Sequence, residues 1–203
     1  MSTRFFLISP VDAVERDFAV SGIAPYPPRY NIAPTQPVLI VRTGAGGARE
    51  SALVRWGLIP GWVKDPRTMA LIVNVQAESA PDKPTYLAGL RYRRCLVPAD
   101  GFYAWTGPKS ARQPLRVAPK GGGPIAFAGI WEHWLGADGS EMESMAVLTL
   151  PSVPELAELT PRAPAIVSIE HHRAWLDCRD VSATAALALF QPSPPGALIS
   201  VAV

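Results

Sequence analysis

Arg94-Cys-Leu-Val-Pro-Ala-Asp-Gly-Phe-Tyr-Ala-Trp105 is the stretch on which the reading of the fold turns. Cys95, Leu96 and Val97 form a short apolar run, Pro98 ends it, and Asp100-Gly101 is a dipeptide that favours a tight turn. Phe102, Tyr103 and Trp105 then open a run rich in aromatic residues. The same pattern recurs along the chain and predicts short strands over 5–8, 38–41, 52–56, 95–97, 115–118, 125–131, 145–150 and 166–168, each bounded by Gly or Pro. Twenty-two prolines spread over 203 residues argue against long helices. Short helices are predicted over 11–19, starting near Asp12, and over 154–159, 170–176 and 182–189, the last behind Ser182 as its cap. The expected fold is α+β: a single β-rich domain over 1–203, mostly antiparallel, with a few short helices. It should be barrel-like, because so many short strands need their edges hidden.

Composition narrows the class. Apolar residues make up 48% and charged residues 18%, the balance of a compact globular chain rather than a disordered one. No apolar run approaches the roughly 18 residues a membrane helix needs. The apolar part of residues 1–10 is too short for a signal peptide and reads as a first strand, so the cytoplasm is the expected compartment. A net charge of only +2 means that nucleic-acid binding would need a local patch. Arg91-Tyr-Arg-Arg94 is the candidate, with a solvated face beside an apolar strand as the plainer reading; acidic charge gathers at Asp138, Glu141, Glu143, Glu155 and Glu158. Cys95 and Cys178 lie far apart, and His133, His171 and His172 complete no ligand spacing with them, so neither a metal nor a cofactor is expected. Gly44-Ala-Gly-Gly47 lacks the lysine and hydroxyl residue of a phosphate loop and reads as a plain loop.

Further segments carry unusual residue combinations. Trp56-Gly-Leu-Ile-Pro-Gly-Trp62 sets two tryptophans around a Gly/Pro turn, and Asn74-Val-Gln-Ala-Glu78 alternates polar residues after an apolar run. Singly they read as core tryptophans and a turn capped by Asn74, just as Asp100-Gly101 reads as a hairpin turn. Taken in order with Arg29-Tyr-Asn-Ile-Ala-Pro-Thr-Gln36, Arg94–Tyr103 followed by Trp105, and Ala126-Phe-Ala-Gly-Ile-Trp-Glu132, they resemble the SOS-response-associated peptidase (SRAP) family. The resemblance runs from Arg4 to about Leu176. It implies a β-rich fold with a groove for single-stranded DNA. It also implies an N-terminal cysteine, exposed by loss of the initiator methionine, whose amine forms a Schiff base with the aldehyde of an abasic site. The thiol then closes a thiazolidine ring. An asparagine, a glutamate and a histidine line that site, and arginines hold the flanking phosphates.

Most of that chemistry is replaced in this chain. The nucleophile position is Ser2, the glutamate position is Ala104, the histidine position is Thr160 (followed by Pro161 where an aspartate is usual), and an arginine position is Gln76. Asn74, Glu78, Arg4, Arg162 and Thr149 remain. A serine hydroxyl is a far weaker nucleophile than a thiolate and needs an adjacent base, and the groups able to serve are the ones lost at Ala104 and Thr160. The α-amine of Ser2, exposed once Met1 is trimmed, needs no side chain to form a reversible Schiff base. The catalytic candidates are therefore Ser2 and Asn74. Arg4, Trp62, Gln76, Thr149 and Arg162 are the candidate DNA contacts, with Arg4 and Arg162 alternatively ion-paired to neighbouring carboxylates. Three readings stay open: a degenerate member with weak affinity for single-stranded, especially abasic, DNA; an active variant working through the Ser2 amine; and a binding module whose pocket serves another ligand.

Overall fold

The computed structural model describes residues 3–107, 111, 113–190, 194 and 196–202, and Ser2 lies outside them. In chain order the elements are β1 (Phe5–Leu7), α1 (Val11–Phe18), β2 (Arg29–Ile32), β3 (Pro37–Thr43), β4 (Arg49–Trp56), β5 (Asn74–Gln76), α2 (Pro84–Tyr92), β6 (Arg94–Ala99), β7 (Gly101–Thr106) and β8 (Gln113–Pro119). There follow β9 (Ile125–Leu135), β10 (Glu141–Pro151), α3 (Pro154–Ala157), β11 (Arg162–Pro164), β12 (Ile166–Val167), α4 (His172–Leu176), α5 (Ala183–Leu187) and β13 (Leu198–Ala202). Among the described residues, no helix is long and apolar enough to cross a membrane.

Strands β10, β4, β3, β6 and β9 pair in that order, and β9 pairs back to β10, which closes a five-stranded barrel. Closure removes the exposed edges that short strands would otherwise present. All barrel pairings are antiparallel except β10 with β4. β10 is long enough to serve several partners in turn: β9 and β4 along its first part, then β5 through Val147–Thr149 and β11 through Thr149–Pro151. A second sheet, ordered β13-β8-β7-β1-β2, covers the barrel. Rings from both layers meet in between: Phe5 lies 5.1 Å from Trp56 and 5.9 Å from Phe127, and Phe102 lies 6.3 Å from Phe127, all edge-on. Each such buried side chain contributes about 1.5–3 kcal/mol, so this aromatic seam is a main tie between the layers.

The eight predicted strands form, and Ser182 caps α5 by accepting from the Ala185 amide at 3.2 Å. Three local readings need correction. Asp100-Gly101 is not a hairpin turn but the corner where the chain leaves the barrel (β6) for the second sheet (β7). The Asp100 carboxylate accepts from the amides of Ile8 and Ser9 at 2.6 and 2.7 Å, which pins the end of β1 to that corner. Gly101 has φ 152°, and a Cβ there would sit 2.1 Å from the Val117 carbonyl oxygen. Asn74 is not itself in a turn but is the first residue of β5. Trp56 is a core residue, whereas Trp62 is 70% exposed. Helix α2 was not foreseen, because its apolar residues do not gather on one face and Pro84 reads locally as a breaker although it occupies the first turn.

Candidate functional site

Two groups of the sequence-predicted site residues come together, one in each layer. The first is the corner of β5, β10 and β11. Register pairs Thr149 of β10 with Gln76 on one side and Pro164 on the other. Asn74 and Gln76 share one face of β5, since Val75 between them is buried in the core. Arg162 reaches across this corner: its Nε donates to Thr149 Oγ1 at 3.2 Å, and its Nη2 donates to the Thr149 carbonyl at 2.7 Å and to Glu78 Oε2 at 2.6 Å. The ion pair holds the Glu78 carboxyl below its usual range. Thr160 is buried, and its hydroxyl donates to the Arg162 carbonyl at 2.8 Å. That bond fixes the backbone leading into β11, so the hydroxyl at the implied histidine position is spent on structure.

The second group lies where the chain enters the other sheet. The Tyr103 amide donates to the Arg4 carbonyl at 3.1 Å, extending the β1–β7 pairing, and the same register carried one step further sets Thr3 opposite Ala104. Ala104 is 1% exposed and belongs to the apolar core. On the opposite face of β7 an open cleft of about 640 Å³ is lined by Thr3, Arg4, Tyr30, Asn31, Tyr103 and Trp105. The Tyr103 hydroxyl donates to the Tyr30 carbonyl at 2.6 Å and ties β7 to β2 beneath this cleft. Tyr30 is 59% exposed and Trp105 40% exposed, so two aromatic rings border it. Neither Tyr30 nor Asn31 was singled out from the sequence, although both lie in the quoted Arg29–Gln36 segment.

Trp62 is held out by a braced loop. The Ile59 amide donates to Ser144 Oγ at 2.8 Å, and Trp134 Nε1 donates to the Val63 carbonyl at 2.6 Å. Ile59, Val63 and Trp134 pack into a small apolar cluster under the loop. The loop is thus anchored on both sides of Trp62 while its indole stays in solvent. Below it, Glu132 is buried, and its carboxyl is pushed up by desolvation and pulled partly back by Arg93, whose Nη1 lies 3.2 Å away. The Arg29–Gln36 segment is rigid for a local reason. Gln36 Oε1 accepts from Arg29 Nη2 at 2.9 Å and from the Ala33 amide at 3.1 Å, and Thr35 is held at φ 73°. That conformation is strained for a β-branched residue, by about 1–3 kcal/mol, and such strain persists only where surrounding bonds impose it. It had no local signal beyond the unusual Pro34-Thr35 pairing. Among the described residues, no group of three His, Cys, Asp or Glu side chains could hold a metal ion.

Comparison with known proteins settles the relationship. The profile of the SOS response associated peptidase (SRAP) family matches residues 1–203. This chain belongs to the SRAP family. It is 32% identical over 197 residues to "Abasic site processing protein YoqW" of Bacillus subtilis, covering 95% of this chain and 87% of that protein. It is 31% identical over 197 residues to "Abasic site processing protein HMCES" of Xenopus tropicalis, covering 82% of this chain and 59% of the other. A crystal structure of a Bacteroides thetaiotaomicron protein superposes with a TM-score of 0.87 at 20% identity, over 99% of this chain and 91% of that one. A phage-related protein from Bordetella bronchiseptica superposes at 0.79 with 26% identity, over 99% and 93%. The barrel with its covering sheet is therefore the SRAP fold.

Proposed function

We propose that this chain is a SRAP protein that holds single-stranded DNA non-covalently, with a preference for abasic sites, and forms no durable crosslink to it. The observation that carries this reading is the state of two positions. Ala104 is an apolar residue buried at 1% exposure, and the Thr160 hydroxyl is committed to the Arg162 carbonyl. Neither residue has a group able to take or give a proton at neutral pH, so a hydroxyl at Ser2 has no base there to raise its nucleophilicity. Condensation of the Ser2 amine with an abasic aldehyde would release water and leave an imine, which hydrolyses unless a strong internal nucleophile closes a ring on it.

DNA affinity would rest on Arg4, on Trp62 as a stacking platform, and on Asn74, Gln76 and Thr149 along one edge. Two features favour weak binding. Gln76 supplies no charge, and Arg162 is already paired with Glu78.

The test uses protein whose intact mass shows Met1 removed. It is incubated with abasic and with undamaged single-stranded oligonucleotides, with and without borohydride. Denaturing gels read adducts, and fluorescence anisotropy at several salt concentrations reads binding. The expected result is salt-sensitive binding, tighter to the abasic strand, with no heat-stable adduct. A heat-stable adduct without reduction would overturn the proposal. An adduct seen only after borohydride would move the reading to a reversible imine on Ser2, and absence of salt-sensitive binding would move it to a pocket serving another ligand.

A further inference from the structure

We infer that the cavity at the far end of the β3–β4 hairpin is a nucleotide-binding site, one that takes an aromatic base together with its phosphate. The cavity holds about 430 Å³, within the roughly 300–1,000 Å³ usual for small-molecule sites. Thr43, Arg49, Tyr92, Trp131, Arg173 and Arg179 line it. Thr43 and Arg49 are paired where the hairpin closes, whereas Trp56 lies at the opposite end of β4. At about 3.3 Å per residue that length of strand separates the two ends by roughly 20 Å. No residue of this cavity takes part in the abasic-site reading.

Its walls are built around a buried arginine. Arg94 is 1% exposed, and its guanidinium donates to the carbonyls of Trp175 (2.6 Å), Leu90 (2.7 Å), Asp177 (2.6 Å) and Val181 (2.9 Å). Those bonds fix the backbone from 175 to 181 against β6 and so place Arg173 and Arg179 at the rim. The neighbouring Asp177 carboxylate is turned to its own loop, where Oδ1 accepts from the amides of Arg179 and Asp180 at 3.1 and 2.8 Å. Among the described residues, neither the Arg173 nor the Arg179 guanidinium has a hydrogen-bond or ion-pair partner. Two unengaged planar forks suit the oxygens of a phosphate, which accept pairs of N–H groups. Tyr92 is 68% exposed, and Trp131 already stacks with the Arg42 guanidinium, 4.1 Å from its ring centre. These rings give a base a stacking surface beside the anion site. The Arg91–Arg94 run noted in the sequence thereby divides its labour: Arg94 builds the wall, Arg93 pairs with Glu132, and Tyr92 faces the ligand.

Cys178 also lines the cavity and is half-buried, while Cys95, the other of the two cysteines, is fully buried with its thiol pushed up by desolvation. Ellman's reagent therefore reports on Cys178. The full chain is treated with dAMP, adenosine, inorganic phosphate or decadeoxyadenylate, and the rate of Cys178 modification is followed alongside calorimetric titration. The expected result is that dAMP binds and slows modification more than adenosine or phosphate does. The pair Arg173→Gln and Arg179→Gln should weaken dAMP by about tenfold or more, and Tyr92→Ala by about fivefold or more. All three side chains are exposed, so unchanged melting temperatures will confirm folding. Tighter, salt-sensitive protection by decadeoxyadenylate would assign the site to nucleotides within a strand, and equal or better protection by dAMP would assign it to free nucleotides. Absence of binding at millimolar dAMP, protection by phosphate equal to that by dAMP, or insensitivity to the arginine substitutions would each overturn the assignment.

Discussion

Acid should destabilise this protein through one histidine. His172 is 4% exposed, its ring lies 5.2 Å from that of Phe18, and its Nδ1 meets no hydrogen-bond partner among the described residues. Burial, and then the nearby Arg49 cation, lower its pKa from 6.5 to about 4; a hydrogen bond to the Val167 backbone and the carboxylates of Glu170 and Asp17 oppose this weakly. In the window between these values the unfolded chain binds a proton that the folded chain refuses, so stability falls as pH drops from 6.5 toward 4. The full span corresponds to about 3 kcal/mol, of which about 2 kcal/mol is lost by about pH 5. Both are upper figures, because the ring sits at the rim of the core. For a domain of this size that loss lowers the melting temperature by roughly 4–8 °C. Buried Glu132 has the opposite sign, since its raised pKa makes the folded state take up protons first. The comparison must therefore be between variants. Thermal melts followed by circular dichroism at about pH 7.5 and about pH 5 should show a smaller drop for His172→Gln than for the parent. Equal drops would refute the argument.

Other consequences are more local. Glu78→Gln should release Arg162 from its 2.6 Å ion pair and so tighten single-stranded DNA binding, steepening the log–log salt dependence by about 0.7; unchanged anisotropy curves would mark Arg162 as purely structural. Trp62→Ala should weaken the same binding by about 1–3 kcal/mol while leaving the melting temperature alone, since the indole is 70% exposed. Arg94→Leu should cost more than about 3 kcal/mol in urea unfolding because it leaves buried carbonyls without a donor; a loss below about 1 kcal/mol would contradict that role. Ala104→Glu alone should lower stability by about 1–3 kcal/mol without producing an adduct. Combined with Ser2→Cys and Thr160→His, it should give a heat-stable adduct on abasic DNA in the gel assay.

The sequence was most readable where a local pattern reports burial. β6 is buried at every position, and its run of apolar residues betrays that at once. The roles of Arg94 and Asp100 were not readable, because each depends on backbone groups remote in the sequence: Arg94 on residues near 177, and Asp100 on Ile8 and Ser9. A charged residue beside an apolar strand looks the same whether it faces water or caps a bundle of carbonyls. The same limit applied at the candidate site. An ion pair from Arg162 to some neighbouring carboxylate stood as one of two alternatives, and only the register of β5, β10 and β11 singles out Glu78 as the partner. Aromatic residues divided similarly, with Trp56 and Trp62 alike in local context but opposite in exposure.

Under the proposed function, the burial of Ala104 explains why such losses would come as a set. A carboxylate in an environment only 1% exposed is tolerable when a partner shares its proton or charge, and costly once that partner is gone. If the histidine or the cysteine were lost first, the glutamate would become an unpaired buried acid, and its replacement by alanine would gain stability. Thr160 tells the same story from the other side. Its hydroxyl satisfies the Arg162 carbonyl at 2.8 Å, which makes a protonatable ring at that position dispensable for folding. Activity and stability pull in opposite directions at such positions. If the chain has lost that chemistry as proposed, loss of the first catalytic group would remove the reason to retain the others, whereas the strained Thr35 and the braced Trp62 loop belong to the scaffold and would be kept. The proposed function therefore makes non-covalent DNA binding, rather than crosslinking, the property to measure first.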